Sequence, residues 1–273
     1  MTLLAILAFA ANSLLCRMAL GPHLIDAASF ASVRMVAGAV TLGLILLSRR
    51  GKRSRNVPDW RCPAMLFAYM ALFSFAYLSL TAATGALLLF GAVQLTMFLV
   101  ALRQGESFSM VSWLGLILAF AGLVYLVSPG LAAPDPLGAV LMIFAGVAWG
   151  FYSLLGKGTP DPLAATAANF LYAVPLVLAV SIVFSGEFHV SFQGLVLAVA
   201  SGAVTSGLGY AVWYVALRGL KAMHAATVQL AVPVIAAFGG VIFLSEAVTL
   251  RLVLASAATL GGVAIVLVRK PAR

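Results

Sequence analysis

The residues able to do chemistry are few, and where they lie restricts them to binding. The chain of 273 residues has seven acids, and Asp26, Asp59, Glu106, Asp135, Asp161, Glu187 and Glu246 all lie at or near the ends of apolar stretches. A carboxylate in the middle of such a stretch would be costly and would mark a proton or cation pathway. With none there, the acid–base inventory for catalysis is nearly empty. No HExxH segment occurs, and no Ser/His/Asp set can be assembled. Gly150 to Gly156-Lys157-Gly158 has the wrong spacing for a phosphate loop, with Gly158 where Ser or Thr must bind magnesium. Cys16 and Cys62, the two cysteines, lack a neighbouring His/Cys cluster. We read the chain as not an enzyme, with no metal and no cofactor.

Polar residues inside apolar stretches are the stronger signal. Asn12, Gln94 and Gln229 lie mid-stretch, and their amides can hold an amino or carboxyl group without carrying charge. They can equally tie one helix to another. Asn169 lies within a stretch as well. Arg17 and Lys157 lie near stretch ends, where snorkelling is one role and gating the other. Arg34 is deeper, and is expected to be structural, paired with backbone carbonyls or Asp26. Glu106 and Glu246 each precede an apolar stretch and are expected to be structural caps of the helix that follows. Pro233 follows Gln229 by one turn, which suits a hinge. Aromatic residues recur at helical spacing: Tyr69, Phe73 and Tyr77; Trp149 and Tyr152; Tyr210, Trp213 and Tyr214. On spacing alone such stripes serve packing or anchor a helix at the membrane interface.

The elements that must position these groups follow from composition. The chain is 64% hydrophobic and 8% charged, too little polar surface for a soluble domain of this size. Spanning a bilayer takes about 20 apolar residues per helix. We read spans near 2–20, 27–48, 62–80, 83–102, 108–128, 137–156, 163–184, 192–217, 222–244 and 250–268. Turn signals such as Gly21-Pro22, Pro134-Asp135-Pro136 and Pro160-Asp161-Pro162 separate them. The expected class is an all-α integral membrane protein of ten transmembrane helices. The first stretch has no basic leader and reads as a retained helix.

The net charge of +9 is a topology signal rather than a nucleic-acid site. Its largest cluster, Arg49, Arg50, Lys52, Arg53 and Arg55, sits in one loop between spans, without interleaved stacking aromatics. With the N-terminus in the cytoplasm, most Lys and Arg fall inside and only Arg17, Arg34 and Arg251 fall outside. Both termini are therefore expected in the cytoplasm, in a bacterial inner membrane. A lipid bilayer and a small-molecule substrate are the expected partners.

The stretches form two sets. Ser13-Leu14-Leu15-Cys16-Arg17 matches Ser153-Leu154-Leu155-Gly156-Lys157, Glu106 matches Glu246, and Gly122 matches Gly262, all at an offset of 140 residues. An odd number of spans per copy inverts the second copy, so residues 1–128 and 137–273 are expected to be two inverted five-helix repeats in one compact membrane domain. That arrangement implies alternating access.

The paired Glu106 and Glu246, Ala121-Gly122 and Gly261-Gly262, Arg34, Trp149-Gly150 and Pro233 together resemble the EamA branch of the drug/metabolite transporter superfamily. The resemblance covers essentially the whole chain. It departs where Ala11-Asn12 and Val93-Gln94 stand opposite Trp149-Gly150 and Pro233, and where Asn169 takes the place of Arg34. The resemblance implies export of amino acids or similar metabolites through a central cavity, by a unit working as a monomer. The aromatic content is similar to that of the family's aromatic amino acid exporters. On that footing Asn12, Tyr77, Gln94, Trp149, Tyr152, Tyr210, Trp213, Tyr214 and Gln229 are expected to bind substrate. Arg17, Lys157 and Pro233 would gate or hinge the pathway. Export of drugs or other metabolites is the alternative, with a channel or lipid flippase behind it.

Overall fold

Helix starts in this chain are written by short polar side chains. Asp26, Thr81, Ser109, Asp135, Asp161 and Ser191 each accept a hydrogen bond from the amide three residues on. These bonds run from 2.6 Å at Asp135 to 3.3 Å at Asp161. A cap satisfies one of the amides that a helix start leaves without a partner. In an apolar medium that satisfaction has to come from the protein itself. Pro136 and Pro162 open their helices, where the missing N–H costs nothing.

The computed structural model describes residues 1–49, 59–105, 109–128, 130, 133–156, 158–218, 229 and 231–268. In chain order the helices are α1 (Thr2–Leu20), α2 (Ala27–Ser48), α3 (Arg61–Ala76), α4 (Ala82–Arg103), α5 (Met110–Val127), α6 (Pro136–Leu155) and α7 (Pro162–Val183). A short 3₁₀ turn (Ser185–Glu187) follows. Next, α8 (Phe192–Ala200) runs through a π-helical segment (Ser201–Leu208) directly into α9 (Gly209–Arg218). The last two are α10 (Ala231–Leu244) and α11 (Leu250–Val268). Among the described residues no strand forms beyond one antiparallel bridge between Ile25 and Val190.

Seven described helical stretches are long and apolar enough to cross a membrane, including Phe192–Trp213 through the π segment. Arg61–Ala76, Ala231–Leu244 and Leu250–Ile265 are apolar but shorter. Bare Leu, Ile and Phe side chains line the outside of the bundle, among them Leu114, Ile117, Phe120, Phe238 and Ile242. A surface of that kind belongs in lipid. Within the described residues the expected spans agree with the helices closely, with two exceptions; residues 222–228 and 230 of the ninth expected span lie outside the described residues. The third stretch ends at Ala76, not 80, because Tyr77–Leu80 form the turn into α4. The eighth is not a uniform α-helix.

Small residues set the tightest packing. The α5–α11 pair meets at Gly115, Gly122 and Gly262. A Cβ on Gly122 would lie 2.6 Å from Thr259 Oγ1, and one on Gly262 would lie 2.5 Å from the Ala119 amide. Thr259 donates to the Ala119 carbonyl at 3.4 Å. Elsewhere α6 packs against both α3 and α4, α2 against α7 and the π segment, and α1 against α8, the π segment, α9 and α10. Gly202 brings the π segment onto the Arg34 carbonyl of α2. The loop after α1 meets the α7–α8 connection at one end of the bundle, where Ser191 donates to the Leu24 carbonyl at 2.8 Å. At the opposite end Arg49 reaches Asp161 at 3.5 Å.

Candidate functional site

Asp26 starts α2, and two turns further on that helix carries Arg34 into the middle of the bundle with 0% of its surface exposed. A guanidinium has five N–H donors and no acceptor. Arg34 Nε donates to Ser206 Oγ at 3.0 Å. Its Nη2 donates to the Tyr69 hydroxyl at 3.2 Å and the Tyr210 hydroxyl at 3.3 Å. Its Nη1 is buried with no hydrogen-bond partner. The charge lies 5.4 Å from the Tyr69 ring centroid and 5.0 Å from that of Phe73. Taking such a cation out of water is expensive, and neutral hydroxyls and ring faces compensate only in part.

The partners of Arg34 differ from those expected. Asp26 is not its partner: the Asp26 carboxylate accepts from the Ser29 amide at 2.8 Å and the His189 amide at 3.1 Å. Among the described residues the Arg34 guanidinium reaches no backbone carbonyl; it meets side chains from α3, the π segment and α9.

Aromatic rings enclose the guanidinium. Trp149 of α6 lies 4.8 Å from Tyr69 and 4.9 Å from Tyr210, the two phenols that hold Arg34. Tyr152 lies 5.5 Å from Trp149. Phe9 of α1 sits edge-on to Trp149, Tyr210 and Trp213 at 5.5 to 6.0 Å. Phe170 of α7 closes onto Tyr210 at 5.8 Å. All these rings are buried, and the Trp149 indole Nε1 has no hydrogen-bond partner. The space among these rings is filled by their own side chains.

Of the expected binding residues, the structure brings Trp149, Tyr152, Tyr210 and Trp213 into this cluster. Asn12 is buried beside it on α1, and its Oδ1 accepts from Ser201 Oγ at 2.7 Å and Thr205 Oγ1 at 3.1 Å. Gln94 on α4 and Gln229 are buried. Tyr77 stands at the edge: its ring meets Phe73 at 4.7 Å and lies over Gly85. The side chain of Tyr214, together with Lys157 and Glu106, lies outside the described residues. Pro233 is buried near the start of α10, and Asn169 is buried in α7.

A second cluster closes the bundle end where α1 finishes. Arg17 Nε pairs with Glu246 Oε1 at 3.2 Å. Its Nη1 donates to the Tyr77 and Leu78 carbonyls at 3.1 and 3.2 Å. Glu246 Oε2 accepts from the Ala82 amide at 2.9 Å, at the start of α4. The expectation that Glu246 caps the helix after it is therefore corrected. Thr249 does that, accepting from the Leu252 amide at 3.1 Å. Glu246 can cross to α4 because Ser245 adopts φ 52° and turns the chain back. Arg17 is tied to protein rather than extended into the interface.

Reading the sequence missed Ser201, Thr205, Ser206 and Phe9. The hydroxyls of a Ser-Gly-Ala-Val-Thr-Ser-Gly run were the available signal. What hid them was the assumption of a regular α-helix; the π segment re-aims Ser201 and Thr205 at Asn12 and Ser206 at Arg34. Such π segments recur at functional sites.

Comparison with known proteins agrees with a transport architecture. Residues 136–268 match the EamA-like transporter family. An uncharacterised Pseudomonas aeruginosa protein, PA1977, is 49% identical over 267 residues, covering 98% of this chain and 93% of its own. The uncharacterised Bacillus subtilis transporter YoaV is 22% identical over 252 residues, 87% of this chain and 86% of its own. The threonine/homoserine exporter RhtA of Salmonella typhimurium is 32% identical over 145 residues, 51% of this chain and 48% of its own. A protein crystal structure at 20% identity superposes with a TM-score of 0.71 over 97% of both chains, which shows a shared fold. With seven apolar candidate spans and this match over residues 136–268, the chain is a multi-pass membrane protein that carries an EamA-like transporter domain.

Proposed function

We propose that the protein exports amino acids, aromatic or other apolar ones, by alternating access through the Arg34–aromatic chamber. The observation that carries this reading is the composition of the chamber. Its rings and its cation come from α1, α2 and α3 of the first half of the chain and from α6, α7 and α9 of the second. A site built across two groups of helices opens when they rock apart. Aromatic walls favour stacking and cation–π contact with an apolar or aromatic side chain bearing an ammonium group.

An inverted pair of five-helix repeats, 1–128 and 137–273, with ten spans, is part of the proposal. Two observations support it. The α5–α11 contacts are reciprocal: Gly122 meets Thr259, and Gly262, 140 residues on, meets Ala119, itself 140 residues before Thr259. A two-fold axis requires such exchange. Gly105 and Ser245, at the same offset, both take positive φ, 84° and 52°, one residue before the paired glutamates. The charge bias of the loops supports cytoplasmic termini in a bacterial inner membrane. In that orientation the Arg17–Glu246 cluster closes the outer end, and Pro233, at the other end of α10, is the hinge.

The test is efflux from proteoliposomes loaded with a panel of amino acids. The panel includes threonine and homoserine, the substrates in the name of RhtA. Saturable, stereoselective efflux of apolar or aromatic members is expected. Flux that rises linearly without saturation would mean a channel, and efflux confined to drugs or other metabolites would sink the substrate class.

A further inference from the structure

The five donors of Arg34 are unevenly used. One on Nε and two on Nη2 are satisfied by Ser206, Tyr69 and Tyr210, while Nη1 has no partner. The two phenols that hold Nη2 are the same two rings that touch Trp149, whose indole N–H is also buried without an acceptor. Buried donors without partners are rare and costly, and a buried cation is more so. Among the described residues no carboxylate is paired with Arg34: the described ion pairs are Arg17–Glu246, Arg49–Asp161 and Arg61–Asp59. The site has one uncompensated positive charge, spare N–H groups on that charge, and a further donor a ring away.

We infer that Arg34 is the anion anchor of the transport site, with Nη1 taking a carboxylate of the substrate and Trp149 Nε1 as the neighbouring donor. This inference rests on the transporter reading and narrows it: the transported molecule must carry a carboxylate, and an apolar or aromatic body alone is not enough. The anchor is pre-positioned, because Ser206, Tyr69 and Tyr210 hold the guanidinium plane while Nη1 faces no protein acceptor. Phe73 and Tyr69 stack near the charge and exclude water from it. A charge-assisted bond made there is stronger than the same bond in water. The parting of the rings and the neutralising of Arg34 are then one event, in which the substrate supplies the missing counter-charge.

The wild-type protein in proteoliposomes provides the first test, with preloaded radiolabelled phenylalanine and external phenylalanine, phenylalaninamide, phenethylamine or 3-phenylpropionate. Phenylalanine is expected to stimulate exchange, and the amide and the amine to be weaker by roughly tenfold or more, the worth of a charge-assisted hydrogen bond. Exchange of the amide or the amine as fast as the acid overturns the carboxylate requirement and leaves the exporter reading standing. Binding of 3-phenylpropionate without any amino-acid flux, read as a thermal-melting shift, keeps the anchor and removes the amino-acid reading. Neither flux nor a melting shift with any carboxylate overturns the anchor. The second test uses Arg34→Lys and Arg34→Gln, both checked for monodispersity and melting temperature. Arg34→Gln is expected to abolish the preference for acid over amide, and Arg34→Lys to retain part of it. A variant that melts early but keeps the wild-type ratio of acid to amide marks Arg34 as purely structural.

Discussion

Arg17 and Glu246 pair at 3.2 Å although 229 residues separate them in the chain. The same carboxylate caps α4 through the Ala82 amide, and the same guanidinium holds the turn that ends α3 through the Tyr77 and Leu78 carbonyls. One ion pair thus ties α1, the α3–α4 turn and the α10–α11 connection at one end of the bundle. Tyr77 links it to the chamber, since its ring touches Phe73, which lies against Arg34.

This tie has a measurable coupling. Both side chains are only part-exposed, at 23% for Arg17 and 12% for Glu246. Glu246→Gln should keep the cap on α4 and lose the ion pair. Glu246→Ala should lose both and cost about 1 kcal/mol more, the usual worth of a helix cap. A double-mutant cycle with Arg17→Met, read by thermal melting, should show coupling of at least about 0.5 kcal/mol. Additive losses would mean the pair contributes nothing.

Adjacent glycines should behave in opposite ways. A Cβ on Gly262 would run into the Gly115 carbonyl and the Ala119 backbone, whereas a Cβ on Gly261 meets nothing within 4 Å. Gly262→Ala should destabilise by about 1–3 kcal/mol, as overpacking does. Gly261→Ala should be neutral or stabilise by up to about 1 kcal/mol through helix propensity. Melting temperatures of the two variants in one detergent provide the comparison.

Trp213 and Tyr77 should differ in what they control. Trp213 is buried against Phe9 within the ring cluster. Trp213→Ala should reduce efflux of aromatic amino acids more than efflux of small ones, by about tenfold for the loss of one ring contact and its burial. Tyr77 instead touches the Arg17–Glu246 cluster, and its hydroxyl donates to the Ala82 carbonyl at 3.3 Å. Tyr77→Ala should lower flux of both substrate kinds alike. Equal loss for both kinds with Trp213→Ala would remove it from substrate selection.

Proton coupling provides a fourth test. Among the described residues the acids lie at helix ends or in connections, and the contacts of Arg34 include none of them. Without a carboxylate to titrate in the membrane core, counterflow should persist unchanged when the pH gradient is collapsed. Strict dependence on an imposed proton gradient would contradict this.

The helices were legible because their signals are local. Apolar length and the Pro and Gly turns act over a few residues, and Asp135 and Asp161, which cap α6 and α7, lie inside the Pro-Asp-Pro turn signals. The aromatic stripes were legible for the same reason: spacing puts Tyr69 and Phe73 on one face of α3, with Tyr77 at its end. What spacing does not carry is the partner. Ser206 is 172 residues from Arg34 and Tyr210 is 176 away, and nothing in either local sequence names the other. The π segment is equally illegible, because its hydroxyls look like an ordinary helical run until α2 packs against Gly202.

The sequence by itself determined a bundle of apolar helices, the places where they begin, and an interior almost without acids, since these follow from burial and backbone satisfaction along the chain. Only the tertiary structure decided that Arg34 faces phenols rather than Asp26, that Glu246 serves α4 rather than its own helix, and that Trp149 packs on the two phenols that hold the arginine. Each of those is a choice among partners far apart in the chain, and it is made by which small-residue faces allow helices to approach closely enough for their polar groups to meet.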